Sequence, residues 1–271
     1  MRVFMQGIAS NDFVKNQNPS FFSVFMNPKG KLFSDSVVHF TNSNSILMDI
    51  PTSHLDNVLK MLSLSKFDRK VEISVPKNMG VYGMISDSCS IPDAICFQDP
   101  RCSSAYRIFS EKPLQQLLEL TSLYKTYELL HGVWSSDDGL KNQVAGHLNL
   151  DLLNGISTTK GCYVGQEVYA SYIHHRTHPS RLVPVVLSSH SHKDLIQMTV
   201  ENACNNIPSS HLLQKVNDVS PGNEVQSDGK TIGHILYIQP NTNVALALCS
   251  DFEGVNGEWM IQSSIHCIPI C

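Results

Sequence analysis

The sequence predicts an α+β domain followed by a small all-β domain. Three observations predict it. Strand-like and helix-like segments alternate in the first part of the chain, whereas after about residue 180 only short β-like runs remain, separated by turn clusters. The third is composition: 271 residues, 42% hydrophobic and 16% charged, suffice to bury a large core and to build two domains. The expected division is 1–180 for the α+β domain and 181–271 for the β domain, the latter read as a barrel.

In chain order, Val37–Phe40 and Ile46–Ile50 read as a strand pair around the polar turn Asn42-Ser43-Asn44. Leu55, Val58, Leu59 and Leu62 fall at helical spacing, with Thr52 or Ser53 placed to cap the helix. Val71–Val75, Val81–Ile85 and Ala105–Phe109 read as strands. A second helix is expected from Pro113, a favoured first-turn residue, with Leu114, Leu117, Leu118, Tyr124 and Leu130 on its apolar face and Gly132 at its end. Beyond residue 180 the β-like runs are Arg181–Leu187, Gln197–Val200, Thr231–Ile238, Val244–Leu248 and Glu258–Ser263. Turn clusters such as Ser220-Pro221-Gly222-Asn223 and Asp228-Gly229 separate them.

Charge and patterning exclude several classes. The formal net charge is -4, without the basic surplus of a protein built to coat nucleic acid. No apolar run approaches the ~18 residues of a membrane helix, so no membrane insertion is expected. Met1-Arg2-Val3-Phe4 runs straight into Gln6-Gly7, which reads as folded sequence rather than a secretory signal or transit peptide. The eight cysteines include no CxxC pair, and those in apolar runs, such as Cys96 and Cys249, read as buried thiols in a reducing compartment. No GxGxxG between strand and helix, no P-loop and no HExxH is present.

The segment that carries chemistry is Lys160-Gly161-Cys162-Tyr163-Val164-Gly165-Gln166-Glu167. Two glycines bracket a cysteine, and a short helix is expected over Gln166–Ile173. Cys162 would then precede a helix N-terminus and neighbour Lys160, two features that favour a thiolate. Glu167 is a carboxylate able to accept hydrogen bonds from the amide and amine edge of a heterocycle. The other reading is a tight turn around a buried cysteine. His174, His175, Arg176, His178 and Arg181 form a locally basic stretch, read as a solvated linker or as a surface for an anionic partner, with no third ligand to make His174 and His178 a metal site. Upstream, Gln6-Gly7 and Asn11-Asp12 form a polar cluster, and Asn27-Pro28-Lys29-Gly30-Lys31 is a turn. Asp99-Pro100-Arg101 is a turn carrying a guanidinium suited to a carboxylate, or to a surface ion pair.

In this order, Phe4-Met5-Gln6-Gly7, Asn11-Asp12, Asn27-Pro28-Lys29-Gly30-Lys31, Asp99-Pro100-Arg101 with Tyr106-Arg107, Leu148-Asn149-Leu150-Asp151 and the octapeptide 160–167 resemble the YgfZ family, relatives of the glycine-cleavage T protein. Gly222, Gly229-Lys230-Thr231-Ile232-Gly233 and Val244-Ala245-Leu246-Ala247-Leu248 resemble its C-terminal barrel. The resemblance implies a GcvT-like folate-binding domain of two pseudo-related α/β halves followed by a small β-barrel. It further implies tetrahydrofolate as cofactor, held by Asn11, Arg101, Gln166 and Glu167, with Cys162 as the key functional residue and Lys160 beside it. The implied role is maturation of [4Fe-4S] proteins in the mitochondrial matrix, with A-type scaffold proteins and [4Fe-4S] client enzymes as partners. Two implied alternatives are a folate-dependent aminomethyl transferase and a binding module with a vestigial folate cavity. Ser171 and His147 depart from the family pattern.

Overall fold

A computed structural model of the chain describes residues 1–114, 120–174, 180–188, 218–250, 259–261 and 265–270. They form two compact units. The first comprises Met1–Glu119 with Ser135–His174, the second Leu120–Trp134 with His175–Cys271. The segment 120–134 therefore groups with the barrel strands, although it precedes residue 180 in sequence.

The first unit opens with a short helix α1 (Arg2–Gln6) and an antiparallel sheet β1 (Ser20–Met26), β2 (Leu32–Phe40) and β3 (Ile46–Asp49). Every residue of β1 is buried, so both of its faces are covered. Phe21 and Phe25 of β1 pack with Phe4, Met5, Phe13 and Val38, and α2 (Leu55–Lys66) closes this core with Val58 and Leu62. Thr52 and Ser53 do not cap α2: a single turn of 3₁₀ helix, Thr52–His54, precedes it, and the Ser53 hydroxyl donates to Asp137 instead. A second antiparallel sheet runs β4 (Gly80–Ile85), β6 (Ala105–Ser110), β5 (Ile95–Gln98), with β6 central. Val71–Val75 is not a strand; its inward–outward alternation is real, with Val71 and Ile73 against the core, but the backbone finds no ladder partner.

Polar groups stitch these layers together. Ser136 donates to the buried Asp35 through its backbone N–H at 2.8 Å and its hydroxyl at 2.5 Å, and its Oγ lies 2.9 Å from Nδ1 of the buried His54. Asp99, Arg101, Arg107 and Asp49 form an ion-pair chain: Arg101 grips Asp99 through Nε and Nη2 at 2.9 and 2.7 Å, and Arg107 reaches Asp99 at 3.1 Å and Asp49 at 3.3 Å. Burial alone would raise the Asp99 carboxyl, but the two guanidinium groups hold it well below the usual carboxylate range. The Asp49 carboxyl is raised, because its burial outweighs those same cations.

In the second unit, six strands among the described residues close a barrel in the order β10-β7-β12-β11-β8-β9. They are β7 (Arg181–Ser188), β8 (Glu224–Ser227), β9 (Lys230–Ile238), β10 (Val244–Cys249), β11 (Trp259–Ile261) and β12 (Ile265–Pro269). The expected barrel is thus present, filled by Val185, Leu187, Ile235, Ala247, Trp259 and Ile261 among others. The β8–β9 turn is Asp228-Gly229 with φ of 50° and 74°, the twist that suits a two-residue hairpin. Helix α3 (Thr121–Leu130) ends as expected at Gly132: its N–H reaches the Leu129 carbonyl and the Val133 N–H the Glu128 carbonyl, a Schellman pair. It does not start at Pro113 as expected: Pro113 and Leu114 are not helical, and the helix begins at Thr121 after a non-helical Leu120. The expected strand Gln197–Val200 lies outside the described residues. No helix among the described residues is long and apolar enough to cross a membrane.

His39 of β2 is fully buried, stacked on Phe97 at 4.3 Å and edge-on to Phe109 at 4.9 Å, with neither ring nitrogen hydrogen-bonded. Burial, with a smaller contribution from Arg107 that Asp99 opposes, pushes it from 6.5 down to about 4. The unfolded chain therefore binds this proton first as pH falls. Stability is complete above pH 6.5 and drains as pH drops toward 4, where the loss reaches about 3 kcal/mol. Denaturant titrations at a series of pH values should show this decline in wild type and a flatter one in His39→Leu; equal slopes in that window would refute it.

Candidate functional site

The site is built around the loop 154–165 and helix α4 (Gln166–His174) of the first unit. Residues 9–12 and β1 form its floor. Ser10 donates its hydroxyl to the Gly155 carbonyl at 2.6 Å and accepts the Val24 N–H at 2.9 Å. Asn11 donates both protons of its side-chain amide, to the carbonyls of Phe22 at 2.8 Å and Asn154 at 2.7 Å. Asp12 accepts from the Gln6 amide and from the N–H groups of Val14 and Lys15 at 2.8–3.0 Å. Burial raises the Asp12 carboxyl, and these donors with the Lys160 charge outweigh that and lower it.

Lys160 enters this floor from above. Its ammonium is buried and donates to the carbonyls of Ala9 at 2.6 Å and Asn11 at 2.8 Å. The Tyr163 ring covers it at 4.7 Å. Burial pushes Lys160 down to about 8, with Asp12 opposing the shift. Tyr163 is buried too, and its phenol is raised first by that burial. Between these two inward side chains, Cys162 is exposed. The hydrogen bonds of Lys160 thus go to the 9–12 loop, and the residue acts on Cys162 by fixing the loop that displays it.

A second clamp lies on the far side of the cysteine. Gly165 (φ +83°) and Gly30 (φ +65°) both adopt the left-handed conformation and meet face to face. A Cβ on Gly165 would fall 2.8 Å from the Asn27 carbonyl oxygen and 3.4 Å from Gly30 Cα; one on Gly30 would fall 2.7 Å from Val168 Cβ. The Asn27–Lys31 turn, held by Asn27 Oδ1 accepting the Lys29 and Lys31 N–H groups, therefore seats the octapeptide. Gly161 has neither a positive φ nor a close neighbour, so only the second of the two bracketing glycines is conformationally required. Gln166 accepts the Tyr163 N–H through its side-chain oxygen at 3.3 Å, while its own N–H returns to the Tyr163 carbonyl, and this pair closes the turn that leads into α4. Glu167 is exposed on the first turn of α4, with half-exposed Val164 and Val168 near it in sequence.

A cleft of about 510 Å³ opens beside the loop. It is lined by Asn11, Phe22, Pro100, Asn154, Ser157 and Thr159, among others, none of them charged. The structure thus brings Asn11 and the residue before Arg101 to one cleft, next to Thr159 and hence Lys160 in sequence. Arg101 itself is turned into its buried pair with Asp99. Cys162, Gln166 and Glu167 are not among the residues lining the cleft. The lining residues that sequence reading missed include Ser20, Phe21 and Phe22 of β1, Asn16 and Asn18 before it, and Asn154 and 156–159 in a loop without periodicity. His147, which departs from the family pattern, sits edge-on to Tyr172 at 5.1 Å, with burial lowering its pKa. His175, Arg176 and His178 lie outside the described residues.

The fold is that of an aminomethyltransferase of the glycine cleavage system. The chain superposes on the crystal structure of aminomethyltransferase T from Bartonella henselae with a TM-score of 0.65 and 9% identity, covering 99% of this chain and 79% of that one. No family model matches the chain. Its relatives by sequence are mitochondrial iron–sulfur cluster assembly factors named IBA57. The chain is 25% identical to that of Homo sapiens over 257 residues (86% of this chain, 66% of that one) and 25% identical to that of Mus musculus over 218 residues (68% and 61%). It is 27% identical over 209 residues to the homologue of Mycosarcoma maydis (67% and 51%). The chain thus spans between about half and two thirds of the length of these relatives. Both comparisons agree with the resemblance drawn from the motifs.

The two clamps predict unequal effects for the two glycines of the octapeptide. Gly165→Ala should cost about 2–4 kcal/mol of stability, from the left-handed φ and the contacts its Cβ would force. Gly161→Ala should stay within about 0.5–1 kcal/mol. Paired denaturant melts check this, and equal losses would refute the Gly30–Gly165 clamp.

Proposed function

We propose that the chain is a tetrahydrofolate-binding assembly factor for the maturation of mitochondrial [4Fe-4S] proteins, acting through Cys162. The observation that carries the proposal is the exposed Cys162 thiol on a loop fixed by Lys160 on one side and Gly165 on the other. Such rigid display suits a thiol that must be met by another protein, whether as a nucleophile, a transient cluster ligand or a redox group. The names of the sequence relatives support the assembly role and a mitochondrial location, and the matrix is the compartment this reading implies. A-type scaffold proteins and [4Fe-4S] client enzymes are the partners this reading implies.

On this reading the cleft is the place for tetrahydrofolate. Its volume is in the range of small-molecule sites, and Asn16, Asn18, Ser157, Thr158 and Thr159 offer neutral donors and acceptors suited to the edge of a pterin. This lining supports a place for the heterocycle. It supplies no cation for the glutamate tail, which on this reading leaves toward solvent. Bound folate would supply an acceptor for one-carbon groups. The second reading, an aminomethyl transferase, is favoured only by the fold likeness, and fold alone is a weak warrant for activity.

The test of the assembly role is rescue. Cells depleted of their own relative would express this chain or Cys162→Ala, with aconitase-type [4Fe-4S] activity as the readout. Wild type should restore activity and the variant should not. Failure of a well-expressed wild type would sink the assembly reading, and rescue by both would remove the cysteine from the mechanism. The cofactor is tested separately by calorimetric titration of tetrahydrofolate. Thr158→Trp, which fills the cleft, should weaken binding by about tenfold or more, whereas Cys162→Ala should leave it unchanged. No heat of binding with wild type would exclude the cofactor.

A further inference from the structure

Two side chains outside the site stand further out than their type suggests. Cys96, expected to be a buried thiol, is half-buried. Phe67 is 85% exposed and follows directly on α2, in which Leu64 is 67% exposed. The core does not use these two residues. Val58 and Leu62 of α2 face the core, with Met61 packed beside them. Lys60 and Leu64, four apart, share the exposed side of the helix, which leads into Phe67. The backbone holds Phe67 out at a cost. The Arg69 N–H donates to the Lys66 carbonyl at 3.0 Å and closes a turn with Phe67 at its first corner. There Phe67 has φ 44° and ψ -132°, the first-corner conformation of a type II′ turn, where glycine predominates. The Val71 N–H, bonded to the Arg69 carbonyl at 2.8 Å, returns the chain to the core, where Val71 is buried. A bulky aromatic thus takes a strained backbone position and shows most of its surface to solvent. Four cations flank it in sequence, Lys60, Lys66, Arg69 and Lys70, against the carboxylates of Asp68 and, past Val71, Glu72. None of the four forms an ion pair among the described residues. The chain as a whole carries a net charge of -4, so this is a positive tip on a negative protein.

We propose that the end of α2 and the turn 66–69 form an adsorption site for an anionic lipid surface. Phe67 and Leu64 reach the boundary between headgroups and acyl chains, and Lys60, Lys66, Arg69 and Lys70 meet the lipid phosphates. The long stems of the lysines lie along the apolar boundary while their ammonium groups stay at the phosphates. A small apolar anchor binds a membrane only marginally, and the basic rim supplies the second signal that makes the binding useful. The shape favours a membrane over a protein. A planar interface with an apolar interior accepts a convex tip as it stands, whereas a protein partner must supply a pocket for Phe67 as well as acidic groups around it. Adsorption at headgroup depth is peripheral and needs no spanning helix. The site shares no residue with the cleft or with the cysteine loop, and it does not rest on the proposed function.

The test is co-sedimentation of the full chain with two kinds of vesicle, phosphatidylcholine alone and phosphatidylcholine with about one fifth phosphatidylserine. Wild type should bind the anionic vesicles about tenfold or more tightly than the neutral ones, and about 0.5 M salt should release it. Phe67→Gly accepts the same backbone conformation, so its thermal melt should stay close to that of wild type while its vesicle binding falls by about tenfold. Lys66→Glu combined with Lys70→Glu should abolish the preference for anionic vesicles. In Phe67→Trp, tryptophan emission should shift to the blue on adding anionic vesicles and not on adding neutral ones. The proposal is overturned if wild type binds neither vesicle or both equally, or if folded Phe67→Gly binds as well as wild type. A polyglutamate peptide provides the other arm: binding to it without binding to anionic vesicles would mark an acidic protein as the partner and overturn the proposal too.

Discussion

Burying the Lys160 ammonium is the constraint on which the site depends. A buried charge is costly unless every donor finds a partner and the surroundings carry compensating charge. Here the partners are two backbone carbonyls of the 9–12 loop, the face of Tyr163 and, further away, the Asp12 carboxylate. Those carbonyls are available only because residues 9–12 are themselves sewn to β1 and to the 154–155 segment through Ser10 and Asn11. The conformation of the motif is thus set by residues about 150 positions earlier in the chain. With Lys160 and Tyr163 directed inward, Cys162 between them is left to face outward.

The glycine contact completes this arrangement from the other end. Two left-handed glycines let two backbones approach more closely than any side chain permits, and α4 starts at that point. The Asn27–Lys31 turn, an ordinary hairpin connection when read alone, becomes the seat of the octapeptide. The order of motifs along the chain therefore carries meaning that no single motif does: segments 9–12, 27–31 and 160–167 are parts of one local structure.

What could be read from the sequence follows from which signals are local. Runs rich in β-branched and aromatic residues made parts of β2, β3, β4 and β6 legible, and the barrel strands β7, β9 and β10 were legible by their spacing and turn residues. β1 is covered on both faces and has serines at Ser20 and Ser23 that serve hydrogen bonding, so its sequence shows no period. Val71–Val75 shows the reverse, alternation without a partner strand. For the site, the motif located Lys160, Cys162 and the helix after them. Which side chains turn inward was not legible, because it depends on long-range partners: the 9–12 carbonyls for Lys160, and Asp99 for Arg101. Likewise, sequence spacing treats Gly161 and Gly165 as equivalent, and only the contact with Gly30 separates them.

The geometry also bears on how one loop could serve both a ligand and a partner. Thr158 and Thr159 line the cleft, Lys160 anchors the chain below, and Cys162 emerges on the surface without lining the cleft. In a transferase, the group that reacts must meet the bound cofactor. A thiol outside the lining of the cleft is better placed to meet something arriving from solvent. The cleft and the thiol still share one short piece of backbone with a buried ammonium as its pivot. A molecule bound at Thr158 and Thr159 would therefore contact backbone directly adjoining the Lys160 anchor without touching the sulfur. On the proposed reading, a ligand in the cleft would bear on how the cysteine is presented rather than on its chemistry, which suits an assembly factor better than a transferase.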